Sequence, residues 1–211
     1  MVTVILDNDE CTGSYALGAT TYLYLKSENV PLSPKTFSEQ YLAIGGARPG
    51  TLQLLQMLYK YKHYNTNHKL SVIMFTAAEN VNGWVDFLKQ ALEIYAKTPG
   101  LFDDVLTRKD CTYYNGRFFK DLNKTPFGYR IMIEDTPENV LNHDLIYQVD
   151  RYVFPVDISS LVSRLPSSYS TDIFIKQSFK HLNFEESSDL YSIVNSLSSV
   201  LTSLLLKDNV Y

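Results

Sequence analysis

Val2-Thr3-Val4-Ile5-Leu6 runs straight into Asp7-Asn8-Asp9-Glu10, and this junction decides the fold. Five apolar or β-branched residues stopped abruptly by acid describe a strand buried on both faces, as in a parallel sheet. Two later stretches share the design: Leu70–Phe75 stops at Thr76, and Ile131-Met132-Ile133 stops at Glu134-Asp135. Residues 145–149 read as a fourth strand. Helical periods fall between them. Leu52, Leu55 and Tyr59 follow the turn Arg48-Pro49-Gly50, and Val81, Trp84, Val85, Leu88 and Leu92 repeat at helical spacing. The same period runs from Leu190 through Ile193, Val194, Leu197, Val200, Leu201 and Leu204 to Leu205. Strand and helix in alternation predict an α/β fold around a parallel sheet.

Residues 13–47 break this rhythm. They carry Tyr15, Tyr22, Tyr24, Phe37 and Tyr41, the prolines Pro31 and Pro34, and only a weak helical period from Tyr15 to Leu25. The segment reads as an insertion after the first strand, near the mouth of the sheet, within a single domain spanning 1–211. Its tyrosines suit core or lid packing. The serine-rich stretch 159–170 reads as a surface connection.

Composition narrows the class. The chain has 211 residues, 45% of them apolar and 20% charged, enough to bury a core. Nineteen basic against twenty-three acidic residues give a net charge of −4, the wrong balance for coating nucleic acid. Apolar runs stay far short of the ~20 residues a membrane helix needs. The N-terminus has no basic flank and meets acid at Asp7, which predicts no signal peptide. Two cysteines, Cys11 and Cys111, are too few for a zinc cluster or disulfide framework. The expectation is a soluble intracellular protein, cytoplasmic or nuclear.

In open parallel sheets, sites form at the carboxyl ends of the strands. Asp7, Asp9, Thr76, Glu134 and Asp135 all follow strand ends. Converging carboxylates are costly to desolvate and call for a cation, and an all-oxygen set suits Mg²⁺ with a substrate phosphate. A strand-end aspartate is then placed to act as a nucleophile that takes a phosphoryl group, with a second carboxylate as acid and base. Thr76 and a loop cation, Lys120, complete a phosphate cradle. Cys11 has no Cys-x5-Arg loop behind it, so it reads as a packing residue rather than a nucleophile.

These motifs together resemble the FCP/SCP branch of the HAD-superfamily phosphatases, which act on the C-terminal domain of RNA polymerase II. The family's Asp-x-Asp-Glu-Thr is matched by Asp7-Asn8-Asp9-Glu10-Cys11, and its Phe-Thr-Ala by Phe75-Thr76-Ala77. Its Arg-Pro-Gly turn is Arg48-Pro49-Gly50, its Arg-x-x-Cys and Lys-Asp-Leu are Arg108, Cys111 and Lys120-Asp121-Leu122, and its acidic pair is Glu134-Asp135-Thr136-Pro137. The resemblance covers residues 1–12 and 48–205. It implies a HAD-like, Rossmann-like parallel sheet flanked by helices, a Mg²⁺-dependent phosphomonoester hydrolase working through an aspartyl-phosphate, and a phosphoserine or phosphothreonine protein substrate. The polymerase tail is the implied partner.

Residue by residue, the resemblance makes Asp7 the nucleophile and Asp9 the acid and base, also a Mg²⁺ ligand through its backbone carbonyl. Thr76 and Lys120 hold phosphoryl oxygens. Asp7, Asp9 and Asp135 hold the metal with Glu134 in support, although Glu134 serves equally as an ion-pair partner of Lys120. Cys11 stands where Thr is usual, Asn8 replaces an apolar residue, and Glu134 is one methylene longer than the usual Asp. In the polymerase-tail phosphatases the region matching 13–47 carries a small β insertion with an aromatic peptide pocket, a pattern this segment does not repeat. Two other readings stay open: a phosphatase of small phosphomonoesters, and an inactive binding module that keeps the fold.

Overall fold

The computed structural model describes residues 1–64, 69–152 and 189–206. Strands β1 (Val2–Leu6), β2 (Leu70–Phe75), β3 (Asp104–Leu106), β6 (Tyr129–Glu134) and β8 (Leu145–Gln148) form one sheet in the order β3-β2-β1-β6-β8. Every pair in it is parallel. A second sheet joins β4 (Thr112–Tyr114), β5 (Arg117–Asp121) and β7 (Val140–Leu141).

The unbroken apolar runs have a direct cause, because the main sheet is covered on both faces. Val4, Leu6, Val72, Met74, Ile131 and Ile133 belong to a large core that includes helices α3 (Thr51–Tyr64), α4 (Trp84–Ala96) and α5 (Asp189–Leu206). Their neighbours Ile5, Ile73, Phe75 and Met132 join a smaller core with Leu106, Cys111, Leu122 and Val140. Among the described residues, helices therefore cover one face, and the small sheet with its turns lies on the other. Residues 159–170 lie outside the described residues.

The segment after β1 is helical: α1 (Ala16–Ser27), then α2 (Pro34–Phe37), which runs into a wide-turned stretch, Ser38–Gly46. Ser33 caps α2 by accepting the Thr36 N–H at 3.0 Å, with Pro34 in the first turn where its missing N–H costs nothing. Tyr15, Tyr22 and Tyr41 are buried. Tyr22 lies 4.5 Å from Phe87 and 5.5 Å from Trp84 between ring centres, and Phe37 meets Trp84 edge-on at 5.7 Å. These aromatics fasten α1 and α2 to α4. Gly13, where the segment leaves the β1 loop, bridges to Ala47 where it returns. A Cβ at Gly13 would collide with the Tyr15 ring and the Gly46 carbonyl.

Two expectations need correction. The α4 stripe starts three residues late: Val81–Gly83 is a tight turn with Asn82 and Gly83 in left-handed backbone, and Val81 is 44% exposed. Lys120 is on a strand, β5, and not a loop. The hairpin that carries it turns through Asn115-Gly116, both with positive φ.

Leu197 on α5 is fully buried whereas Leu204 is 38% exposed. Leu197→Ala is therefore expected to lose about 2–4 kcal/mol in urea unfolding and Leu204→Ala well under half of that; equal losses would contradict the placement of α5.

Candidate active site

Register brings the acids together. Leu6 pairs with Ile133 and Met74, and the Asp7 N–H donates to the Ile133 carbonyl at 3.0 Å, so the ends of β1, β2 and β6 stand side by side. Asp7, Thr76, Lys120 and Glu134 are all buried there. A cleft of about 360 Å³ opens over them, lined also by Asp9, Glu10, Arg108, Asp135 and Arg151.

Lys120 organises the floor. Its Nζ donates to Asp7 Oδ1 and to Glu134 Oε2, each at 2.5 Å, with all three side chains no more than 6% exposed. Asp7, Glu134 and Asp135 each present a carboxylate oxygen within 4.8 Å of the others. Burial raises the Asp7 carboxyl to about 6 even against the pull of Lys120, and Asp135 repels it further. Burial, then repulsion from Asp7, carries Glu134 to about 8. Lys120 is raised in turn, because the two carboxylates outweigh its own burial. The acids crowd more negative charge than one ammonium neutralises, and the buried all-oxygen donor set fits a divalent cation.

Asp9 stands apart from this trio. Its Oδ1 accepts the Tyr15 N–H at 2.8 Å, at the first turn of α1. Burial raises its carboxyl, partly offset by the amides of Tyr15 and Ala16. A carboxyl held up in this way is suited to acid–base work. The turn that aims it is fixed by Thr12, whose hydroxyl donates to the Asp7 and Asn8 carbonyls at 3.1 Å, and by left-handed Glu10 with φ 62°. Thr76 accepts the Ala78 N–H at 3.0 Å through Oγ1, which orients its hydroxyl at the cleft. Cys11 is fully buried, and burial with the repulsion of Asp7 drives its thiol well up, so it stays protonated.

The structure therefore gathers Asp7, Asp9, Thr76, Lys120, Glu134 and Asp135 in one cleft, and it shows the Glu134–Lys120 ion pair directly. Sequence reasoning missed three contributors. Arg48 reaches from the Arg-Pro-Gly turn to donate to the Cys11 carbonyl at 3.3 Å and the Asp150 carbonyl at 2.7 Å; its being an arginine in a conspicuous turn was the available signal. Glu10 and Arg151 pair at the rim, with Arg151 also on Asp135. Arg151 lies outside every motif and carried no signal.

The description NLI interacting factor-like phosphatase matches residues 2–169. The chain belongs to this family. The match includes residues 13–47, so the helical segment lies inside the shared region. Among curated proteins none matches the chain. Among solved structures, YfnB of Bacillus subtilis, described as a HAD-hydrolase bound to magnesium, is 11% identical over 69% of this chain and 93% of its own, with a TM-score of 0.36. A hydrolase from Pseudomonas syringae is 15% identical over 79% of this chain and 100% of its own, at 0.33. Among the described residues no helix is long and apolar enough to cross a membrane. The chain is thus a member of a phosphatase family with an α/β fold built on a parallel sheet.

Lys120→Met leaves two buried carboxylates without the ammonium between them and is expected to destabilise the fold by about 3–5 kcal/mol. The sign with pH follows from the raised carboxyls. Between their ordinary values and about 6 and 8, the folded state holds protons that the unfolded state has released, so stability falls as pH rises. The loss from Lys120→Met is expected to be larger at pH 8 than at pH 5 in metal-free urea titrations. A pH-independent loss, or a smaller one at pH 8, would contradict the charge balance described.

Proposed function

We propose that this chain is a Mg²⁺-dependent phosphatase that forms an aspartyl-phosphate on Asp7 and acts on phosphoserine or phosphothreonine in a protein. The observation that supports it best is the buried Asp7–Lys120–Glu134 contact on the floor of a cleft shared with Asp9 and Thr76. A buried carboxylate held by one ammonium is oriented and short of solvation, which favours its role as nucleophile.

Asp7 and Asp135 would hold Mg²⁺, with Glu134 and the Asp9 carbonyl in support. When bound, the ion supplies positive charge between an anionic nucleophile and an anionic phosphoryl group. The chain does the rest. An Asp7 oxygen attacks phosphorus as the bond to the substrate oxygen breaks, and Asp9 gives its proton to the departing alkoxide. Asp9 then takes a proton from a water that attacks the aspartyl-phosphate, which frees inorganic phosphate and restores the Asp7 carboxylate. Lys120 has three N–H donors and uses two on Asp7 and Glu134, so the third is left for a phosphoryl oxygen. Thr76 offers its hydroxyl to another.

A second hollow of about 230 Å³ supports a peptide rather than a small polar metabolite. It begins at Asn8, Asp9 and Thr76 and continues between α1 and α4 along Ala19, Leu23, Trp84 and Leu88. An apolar wall beside the leaving-group acid suits a side chain flanking the phosphorylated residue. The polymerase tail, the partner implied by the motifs, is one such phosphopeptide.

Hydrolysis of an aryl phosphate in Mg²⁺ is expected to drop at least about a thousandfold in Asp7→Asn and to stop in chelator; equal rates in wild type and Asp7→Asn would overturn the mechanism. In a substrate panel, phosphopeptides are expected to exceed sugar phosphates and nucleotides in kcat/KM. A clear preference for a metabolite would retire the protein substrate.

A further inference from the structure

Arg151 is built differently from a surface arginine that merely neutralises its neighbours. Its backbone is tied down on both sides. The Val149 N–H donates to the Glu134 carbonyl at 3.0 Å, and Arg48 donates to the Asp150 carbonyl at 2.7 Å. The Tyr152 N–H donates to the Glu10 carbonyl at 2.7 Å, and the Tyr152 hydroxyl to the Gly45 carbonyl at the same distance. The strap thus crosses both acidic strand ends, and Arg151 is its only residue lining the cleft.

The guanidinium is held by one edge. Its Nε lies 3.3 Å from Glu10 Oε2 and 3.3 Å from Asp135 Oδ2, and Nη2 makes a long 3.4 Å contact to the Thr136 hydroxyl. A guanidinium fork is fully used when two of its N–H groups meet one oxyanion in parallel. Here a single nitrogen serves two acids, and Nη1 has no hydrogen-bond partner among the described residues. The side chain is 64% exposed, against 6% for Lys120.

We propose that Arg151 is a specificity-determining residue that binds a second anionic group of the substrate, a carboxylate or a further phosphate, apart from the phosphoryl group being transferred. This rests on the phosphatase reading above. Lys120 and Thr76, buried on the floor, serve the reacting phosphoryl group; Arg151, at the rim beside Glu10 and Thr136, meets what lies next to it. The planar fork loses less freedom per hydrogen bond formed than an ammonium would, which suits it to selective recognition of an oxyanion. The site would therefore favour phosphorylated residues with acidic or phosphorylated neighbours.

The test is fluorescence anisotropy with the full chain in Mg²⁺, using peptides that carry a non-hydrolysable phosphonate analogue of phosphoserine. One peptide has neutral flanks, one has flanking glutamates and one a second phosphonoserine. Wild type is expected to bind at least one acidic peptide about tenfold more tightly than the neutral one, the effect of a single charge-assisted contact. Arg151→Gln is expected to bring that ratio within about twofold of unity, and Arg151→Lys, which keeps the charge without the fork, to fall between. The arm that gains tells a carboxylate from a phosphate. No discrimination by wild type, or an unchanged ratio in both variants, would overturn the proposal and leave Arg151 as the partner of Glu10 and Asp135 only. Turnover of an aryl phosphate that does not depend on Asp7 would instead overturn the phosphatase reading, and the anisotropy comparison would stand apart from it.

Discussion

One ammonium between two buried carboxylates governs this molecule. Lys120 meets Asp7 and Glu134 at 2.5 Å where all three are nearly out of solvent. Such a group is expensive to bury and unsafe to leave incomplete, and much of the architecture serves to complete it. Parallel pairing of β1 with β6 puts Asp7 beside Glu134, while the small sheet brings Lys120 across to them on β5. Asp135 then adds a third carboxylate that Lys120 does not neutralise. A cluster left short of positive charge on the floor of an open cleft is poised to take up a cation and an anionic substrate together.

Strands β1, β2 and β6 of the main sheet were legible twice over, by unbroken apolar runs and by the polar residues that end them, Asp7, Thr76 and Glu134-Asp135, and β8 by its run alone, whereas the three-residue β3 was not read. Burial on both faces forces the first feature, and the site forces the second. Asp7, Asp9, Thr76, Glu134 and Asp135 were found for that reason. The hairpin carrying Lys120 was not legible as strand: β4 and β5 are short and half exposed, and Thr112-Tyr113-Tyr114 with Arg117-Phe118-Phe119 shows no clean alternation. Val81 misled because helical spacing continues backwards through a turn that Asn82 and Gly83 bend the other way. Arg151 could not be found from sequence, since its role depends on a strap that meets Glu10 and Asp135 only in three dimensions.

The segment after β1 ties the apolar hollow to Asp9. The Tyr15 amide at the start of α1 donates to Asp9, and the flank of the same helix walls the apolar hollow. A change in how α1 packs on Trp84 and Phe87 would therefore reach both the hollow and the acid. This coupling, rather than an independent lid, is the physical content of the insertion. Cys11 fits the same economy. It fills space under the turn of Asp7–Asp9 and contacts the Ile133 carbonyl at 3.5 Å, while Thr12 supplies the hydroxyl that ties the turn together.

The central claim is that Asp7 accepts a phosphoryl group in a site completed by Mg²⁺. Beryllofluoride copies an aspartyl-phosphate without turnover, so a thermal melt with Mg²⁺ and beryllofluoride addresses the claim directly. A clear rise in melting temperature is expected that requires both additives and disappears in Asp7→Asn. No rise in wild type, or the same rise in Asp7→Asn, would contradict it.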